Sequence, residues 1–168
     1  EAGGTITFDC GSEPQVITVS EQLEVSGTLM LDGEDRITLS GGNQTRILNL
    51  DNYTELTLQR ITLSDGQVDD SGAAVNHPWF GTLRAIDVVF QNNHAAQDTG
   101  EIGGGAIFAG GLSSAIISGC QFLDNSASNG GGILNRGSTL TIVDCRFEGN
   151  SATSSGDGQY GNGGGLYI

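Results

Sequence analysis

Residues 113–125 (SSAIISGCQFLDN) and 138–150 (STLTIVDCRFEGN) are two copies of one pattern, set 25 residues apart. Both read apolar-x-apolar-x-x-Cys-x-Phe-x-x-Asn, through Ala115, Ile117, Cys120, Phe122 and Asn125, then Leu140, Ile142, Cys145, Phe147 and Asn150. A period between 20 and 50 residues marks units that cannot bury a core alone and do so by stacking on their neighbours. The pattern extends backwards as Leu83, Ala85, Val88 and Phe90, and as Leu56, Leu58, Ile61 and Leu63. Every row keeps the spacing x, x+2, x+5, x+7, which fits two short strands whose inward residues are separated by a two-residue corner.

Earlier still, Leu29 and Leu31 with Ile37 and Leu39, then Ile6 and Phe8 with Ile17 and Val19, read as looser rows. The rows then begin at residues 6, 29, 56, 83, 115 and 140. Period-two alternation of β-branched and aliphatic residues is the signature of strands with one face inward. Segments such as Asp32-Gly33-Glu34-Asp35 and Ser40-Gly41-Gly42-Asn43 supply turn chemistry between them. No stretch carries the i, i+3, i+4, i+7 pattern of a helix. A third short strand recurs between rows, at residues 23–25, 47–49, 74–76, 106–108, 133–135 and 166–168. Three short strands per turn and about 25 residues per turn predict an all-β, right-handed parallel β-helix of five to six coils. A β-sandwich is the competing fold, but it does not require Cys, Phe and Asn to recur in register. The domain reading is one β-helix over 1–168, a portion of a longer one, with less regular entry coils over 1–52 and regular coils over 53–168.

Charge narrows the partners. Six Arg and no Lys stand against 20 acidic residues, a net charge of −14. Such a field argues against nucleic acid and against an anionic membrane surface. No apolar run is long enough to cross a membrane, so no membrane insertion is expected in this segment. The opening residues lack the basic start and apolar core of an export signal.

Residues 103–108 (GGGAIF), 130–135 (GGGILN) and 163–168 (GGGLYI), together with 90–93 (FQNN), 122–125 (FLDN) and 147–150 (FEGN), resemble the paired GGA(I/L/V) and FxxN motifs of polymorphic outer-membrane-protein repeats. Such repeats occur in bacterial autotransporter passengers and in secreted, surface-attached β-helix proteins. The resemblance implies an extracellular or cell-surface location and a structural, adhesive or passenger role. Related β-helices include carbohydrate-active enzymes, so a portion of a polysaccharide lyase or hydrolase-like protein is the alternative, and a subunit of an end-to-end filament is a second. The pattern departs at the third row, where residues 63–66 (LSDG) replace FxxN and 71–74 (SGAA) replace the glycine run.

Phe90, Phe122 and Phe147 are expected to form an interior aromatic stack, and Asn93, Asn125 and Asn150 a ladder of amides at the corner that follows. Asn suits that corner because it occupies the left-handed region or hydrogen-bonds turn backbone, and Gly66 in the unlike row fits a positive φ there. Asn49, Asn76 and Asn135 read as a second ladder, interrupted by Phe108. Cys120 and Cys145 take inward positions held elsewhere by Ile61 and Val88, and are expected to be free, buried thiols. The glycine runs read as tight corners, because none leads into a helix that could hold a phosphate.

Insertions gather between the FxxN strand and the next short strand, along one edge. They carry Asp69, Asp70, Asp98, Glu101, Asp124 and Asp157, an oxygen-rich set that suits Ca²⁺, with His94 and Tyr160 among them as ligand-contacting candidates. A solvated polar edge is the plainer reading, and no cofactor is required. Residues 76–81 (NHPWFG) hold the single Trp, Trp79, which either stacks on a sugar ring or, the preferred reading, caps the core where Ala74 and Ala85 leave space. Arg146 is expected to pair with Asp144. No Ser/His/Asp set or paired carboxylates at a hydrolase spacing emerge, which leans against an enzyme without deciding it. Glycans or a host or neighbouring cell surface are the expected partners, and the uncapped last strand allows end-to-end self-association.

Overall fold

The computed structural model describes residues 4–96, 102–153 and 161–168. Short parallel strands build three six-stranded sheets and one four-stranded sheet, with no helix among the described residues. The first sheet stacks Gly4–Ile6, Thr28–Asp32, Glu55–Gln59, Thr82–Ile86, Ser114–Ser118 and Thr139–Val143. The second stacks Gln15–Thr18, Ile37–Ser40, Thr62–Ser64, Val89–Gln91, Gln121–Leu123 and Arg146–Glu148. The third stacks Leu23–Val25, Leu48–Leu50, Val75–His77, Ile107–Gly110, Ile133–Arg136 and Leu166–Tyr167. Each of these three sheets takes one strand from every pass of the chain, so the molecule is a parallel β-helix of six coils.

The register follows the rows. Leu29, Leu56, Leu83, Ala115 and Leu140 pair in succession, as do Leu31, Leu58, Ala85, Ile117 and Ile142. In the second sheet Leu39, Leu63, Phe90, Phe122 and Phe147 form one continuous line. These side chains point inward because alternate residues of a strand share a face, and those from the central coils are fully buried. Cross-coil contact between like side chains replaces the interdigitation of two different sheets, so a residue type that fits one coil fits the next.

Four features differ from expectation. A fourth sheet of two-residue strands, Gln67–Val68, His94–Ala95, Ser126–Ala127 and Ser151–Ala152, lies inside the segments read as insertions. It starts only at the third coil. Second, the entry coil is offset by two residues, since Gly4 pairs with Leu29 and Ile6 with Leu31, and Ile17 rather than Val19 pairs with Leu39. At the end of the stack one face of the strand has no neighbour to fix it, and Ile6 is exposed. Third, the glycine runs are not in common register. The third-sheet strands start three residues after a left-handed glycine, at Gly72, Gly104, Gly130 and Gly163. Aligned so, Gly104, not Gly103, corresponds to the first glycine of the later runs. The next residues are small because a Cβ on Gly105 would lie 2.2 Å from the Gly131 carbonyl oxygen, and one on Gly131 would lie 2.3 Å from those of Gly164 and Ser151. Fourth, Arg146 pairs with Glu148, two residues along the same strand and so on the same face, rather than with Asp144.

Candidate functional site

The repeated residues are taken up by packing. Phe122 stacks on Phe90 with ring centroids 4.8 Å apart and on Phe147 at 4.6 Å, the latter pair 3° from parallel. Asn93 and Asn125 are fully buried and Asn150 is half-buried. The Asn93 Nδ2 donates to Asn125 Oδ1 at 2.9 Å, and the Asn125 Nδ2 to Asn150 Oδ1 at 2.9 Å. Each Nδ2 also donates to a backbone carbonyl of the preceding coil, Leu63 for Asn93, Phe90 for Asn125 and Phe122 for Asn150. The left-handed residue of this corner is the one before the amide, at Asp65, Asn92, Asp124 and Gly149. Gly66 therefore does not serve a positive φ. It is glycine because a Cβ there would lie 2.3 Å from the Ala73 carbonyl oxygen and 2.8 Å from Asn93 Oδ1, the atom that accepts the Gly66 N–H at 2.9 Å.

The second amide series is shorter than its sequence suggests. Asn76 donates to Asn49 at 2.9 Å, and Asn49 to Glu24 at 2.7 Å. Asn76 then pairs with Phe108, Phe108 with Leu134 and Leu134 with Tyr167. Asn135 stands one position further on, opposite Ala109, and folds its side chain onto the Ser138 backbone of the next corner. The outer row of the third sheet thus changes from polar over the first three coils to apolar over the last three.

Cys120 and Cys145 are both free. Cys120 is buried, and burial pushes its thiol up to about 12, the Sγ resting 3.4 Å from the Ala85 carbonyl oxygen. Cys145 is half-buried.

The carboxylates proposed for Ca²⁺ do not converge among the described residues. Asp69 is exposed. Asp70 accepts from Arg46 at 3.3 Å, and the same buried guanidinium donates to the Ser71 and Gly72 carbonyls and to Gln22. Asp124 lies over Gly149, where a Cβ would meet its Oδ1 at 2.0 Å. Asp98, Glu101, Asp157 and Tyr160 lie outside the described residues. No group of three or more His, Cys, Asp or Glu placed to hold a metal is found among the described residues. His94 is exposed on the fourth sheet, its Nδ1 2.7 Å from Ser126 Oγ on the neighbouring coil.

Trp79 does not cap the core. It is 55 % exposed, at the corner that leads from the third sheet back to the first. Counting back three residues from the paired positions Glu55, Thr82, Ser114 and Thr139 gives the row Asn52, Trp79, Gly111 and Arg136. Counting back two gives Tyr53, Phe80, Leu112 and Gly137. Gly111, in the left-handed region at φ 58°, leaves room for the indole, since a Cβ there would lie 2.3 Å from Trp79 Cε3. Phe80 buttresses the indole at 6.4 Å and is itself stacked on Tyr53 at 4.8 Å and 4°. The resulting groove, about 430 Å³, is lined by Pro78, Trp79, Phe108, Gly111, Leu112, Arg136 and Gly137. A second groove of about 420 Å³, lined by Leu134, Asn135, Tyr167 and Ile168, shares Arg136 and Gly137 with the first. Sequence reading named Trp79 as a sugar-stacking candidate but not the residues around it, because they come together through a corner register that the variable loop lengths hide.

The sequence profile of the Chlamydia polymorphic membrane protein repeat matches residues 87–110 and 144–168. Both matched segments run from the first-to-second-sheet corner, through the FxxN strand, to the glycine-led strand of the third sheet. They cover the Phe stack and the amide ladder at both ends of the repeated region. No curated protein and no solved structure matches the chain. The chain is a parallel β-helix in which residues 87–110 and 144–168 are similar to the polymorphic membrane protein repeat.

Proposed function

We propose that this chain forms part of the rigid body of a cell-surface passenger, a non-catalytic β-helix that holds recognition surfaces away from the membrane. The observation that carries this reading is the division of labour between repeated and unrepeated residues. The residues that recur from coil to coil, Phe90, Phe122 and Phe147 with Asn93, Asn125 and Asn150, face inward and satisfy one another. Those that differ between coils occupy corners and outer faces. A scaffold made this way keeps its shape while its surface changes, because each coil contacts only its neighbours. The polymorphic membrane protein repeat at residues 87–110 and 144–168 supports placement at the bacterial surface.

Brief protease treatment of intact cells that produce the native protein tests the reading, with detection by an antibody raised against residues 53–168. The epitope should be lost from intact cells while a cytoplasmic marker survives. An epitope that is cleaved only after lysis overturns the surface assignment.

A further inference from the structure

We propose that the corner carrying Trp79 is a binding site for a neutral oligosaccharide laid along the axis of the β-helix, with the indole as the stacking platform for one ring. The proposal goes beyond the surface assignment and stands on the geometry of the groove.

Among the described residues, away from the two end coils, the large apolar side chains left exposed are Tyr53, Trp79, Ile86 and Leu112, and three of the four share this corner. Trp is seldom left so open, and such a cluster on a soluble surface marks an interaction site. The indole is also held in place. Gly111 lies beneath it, and Phe80, locked against Tyr53, stands beside it. A platform fixed before binding loses little side-chain freedom on binding.

The chemistry selects the occupant. A sugar ring has an apolar C–H face and a rim of hydroxyls. The groove matches that division, with Trp79, Phe108 and Leu112 as apolar walls and Arg136, a side chain rich in N–H donors, on its polar edge. At about 430 Å³ it is of small-ligand size. An extended ligand is favoured because the second groove continues past Arg136 to Tyr167, which is 37 % exposed. From the strand before Trp79, Val75–His77, to Leu166–Tyr167 is three coil steps, roughly 14 Å at the spacing of neighbouring strands. Charge points to a neutral chain, since 20 acids against six Arg set up a field that repels uronates and acidic peptides.

Trp79 is the single Trp of the chain, so its fluorescence reports directly on the site. The protein is titrated with cello-, malto- and manno-oligosaccharides of one to six units, and with an oligogalacturonate series, in moderate salt. At least one neutral series should give a saturable spectral shift, with affinity rising with length and then levelling off. By calorimetry, Trp79→Ala should weaken that binding at least tenfold while the melting temperature is unchanged, and Trp79→Tyr should retain part of it. Tyr167→Ala should weaken only the longer chains. The proposal is overturned if no neutral series gives a saturable response, if only the galacturonates bind, or if Trp79→Ala binds as the parent does. Saturable binding of an apolar hexapeptide with every sugar inert would likewise assign the corner to a protein partner.

Discussion

Asn125→Ala should be among the most damaging single changes in the chain, for a reason the structure makes countable. The Asn125 side chain uses its full hydrogen-bonding capacity. Its Nδ2 donates to the Phe90 carbonyl and to Asn150 Oδ1, both at 2.9 Å. Its Oδ1 accepts from the Asn93 backbone N–H at 3.0 Å and from Asn93 Nδ2 at 2.9 Å. Truncation leaves the Asn93 N–H, in a fully buried residue, without a partner, and takes one of two donors from the Phe90 carbonyl, which keeps the Leu123 N–H of the sheet ladder. A buried polar group that loses its partner costs about 1–3 kcal/mol. With the lost bonds to Asn93 Nδ2 and Asn150 Oδ1 and the small cavity included, the loss comes to about 2–4 kcal/mol. Asn150→Ala removes fewer bonds from a half-buried site where water can substitute, and should cost less than half as much.

Asn125→Asp separates hydrogen bonding from packing. The side chain keeps its shape but offers only acceptors when ionised, so it would face the Phe90 carbonyl and Asn150 Oδ1 with no proton to give. It should destabilise at least as much as the alanine. The three variants and the parent are compared by urea unfolding, with hydrogen exchange of the Asn93 amide as a local readout that does not assume the whole array unfolds in one step. If Asn125→Asp is as stable as the parent at neutral pH, or if Asn125→Ala and Asn150→Ala cost the same, the ladder is not what stabilises this corner.

Two further outcomes follow from burial. With its thiol pushed up to about 12, Cys120 should resist iodoacetamide at pH 8 while the chain is folded, whereas exposed Cys10 is alkylated first; peptide mass mapping would contradict this if both labelled at equal rates in native buffer. His77 is fully buried, neither ring nitrogen has a hydrogen-bond partner among the described residues, and burial lowers its pKa. Near it, the backbone of Gly81 and Ser114 opposes the shift without outweighing it. The folded pKa is thus below the unfolded one, and the unfolded chain binds more protons as pH falls. The neutral imidazole's contribution is complete above about pH 6.5 and is lost as pH drops from there toward the folded value. Leu50 stands two residues after Leu48, as His77 does after Val75, with which Leu48 pairs, so His77→Leu places in the third coil what the second already accommodates. Thermal melts at pH 7.5 and 5.5 should show a smaller drop for His77→Leu than for the parent, and equal drops would refute the assignment.

How much of this architecture was legible in the sequence depends on whether a residue's role is set by its own coil or by the next. Leu56, Leu83, Ala115 and Leu140 lie at a fixed distance from the corner they precede, so their row could be read by counting, and their pairing has the same register. Asn135 misled the count because the glycine runs were aligned on their first residues, whereas the strand starts three residues after the left-handed glycine, which is the second of the run at Gly104 and the first at Gly130. The same distinction explains Gly119 and Gly149. Both have positive φ, but each also lies beneath an aspartate of the previous coil, Asp87 or Asp124, which leaves no room for a Cβ. A single coil's sequence cannot show that constraint, since it belongs to a pair of residues more than 20 positions apart. The Trp79 groove was hidden for the same reason, as Gly111 and Arg136 become its neighbours only through the stacking of three corners.

That dependence on neighbours also separates the positions that can change from those that cannot. An inward residue such as Phe122 touches its equivalents above and below, so a change in one coil must be matched in two others. At the return corner the row Asn52, Trp79, Gly111 and Arg136 holds four different residue types in four successive coils. Such variety is tolerated there because the corner needs little more than a turn and, where a large ring leans across, a glycine in the next coil. Trp79 and Gly111 form the smallest unit of that kind: an exposed ring in one coil and the space for it in the next. Gly111→Ala would therefore move the indole without touching the interior, which makes the corner a surface whose chemistry can be altered while the ladder of buried Phe and Asn side chains stays as it is.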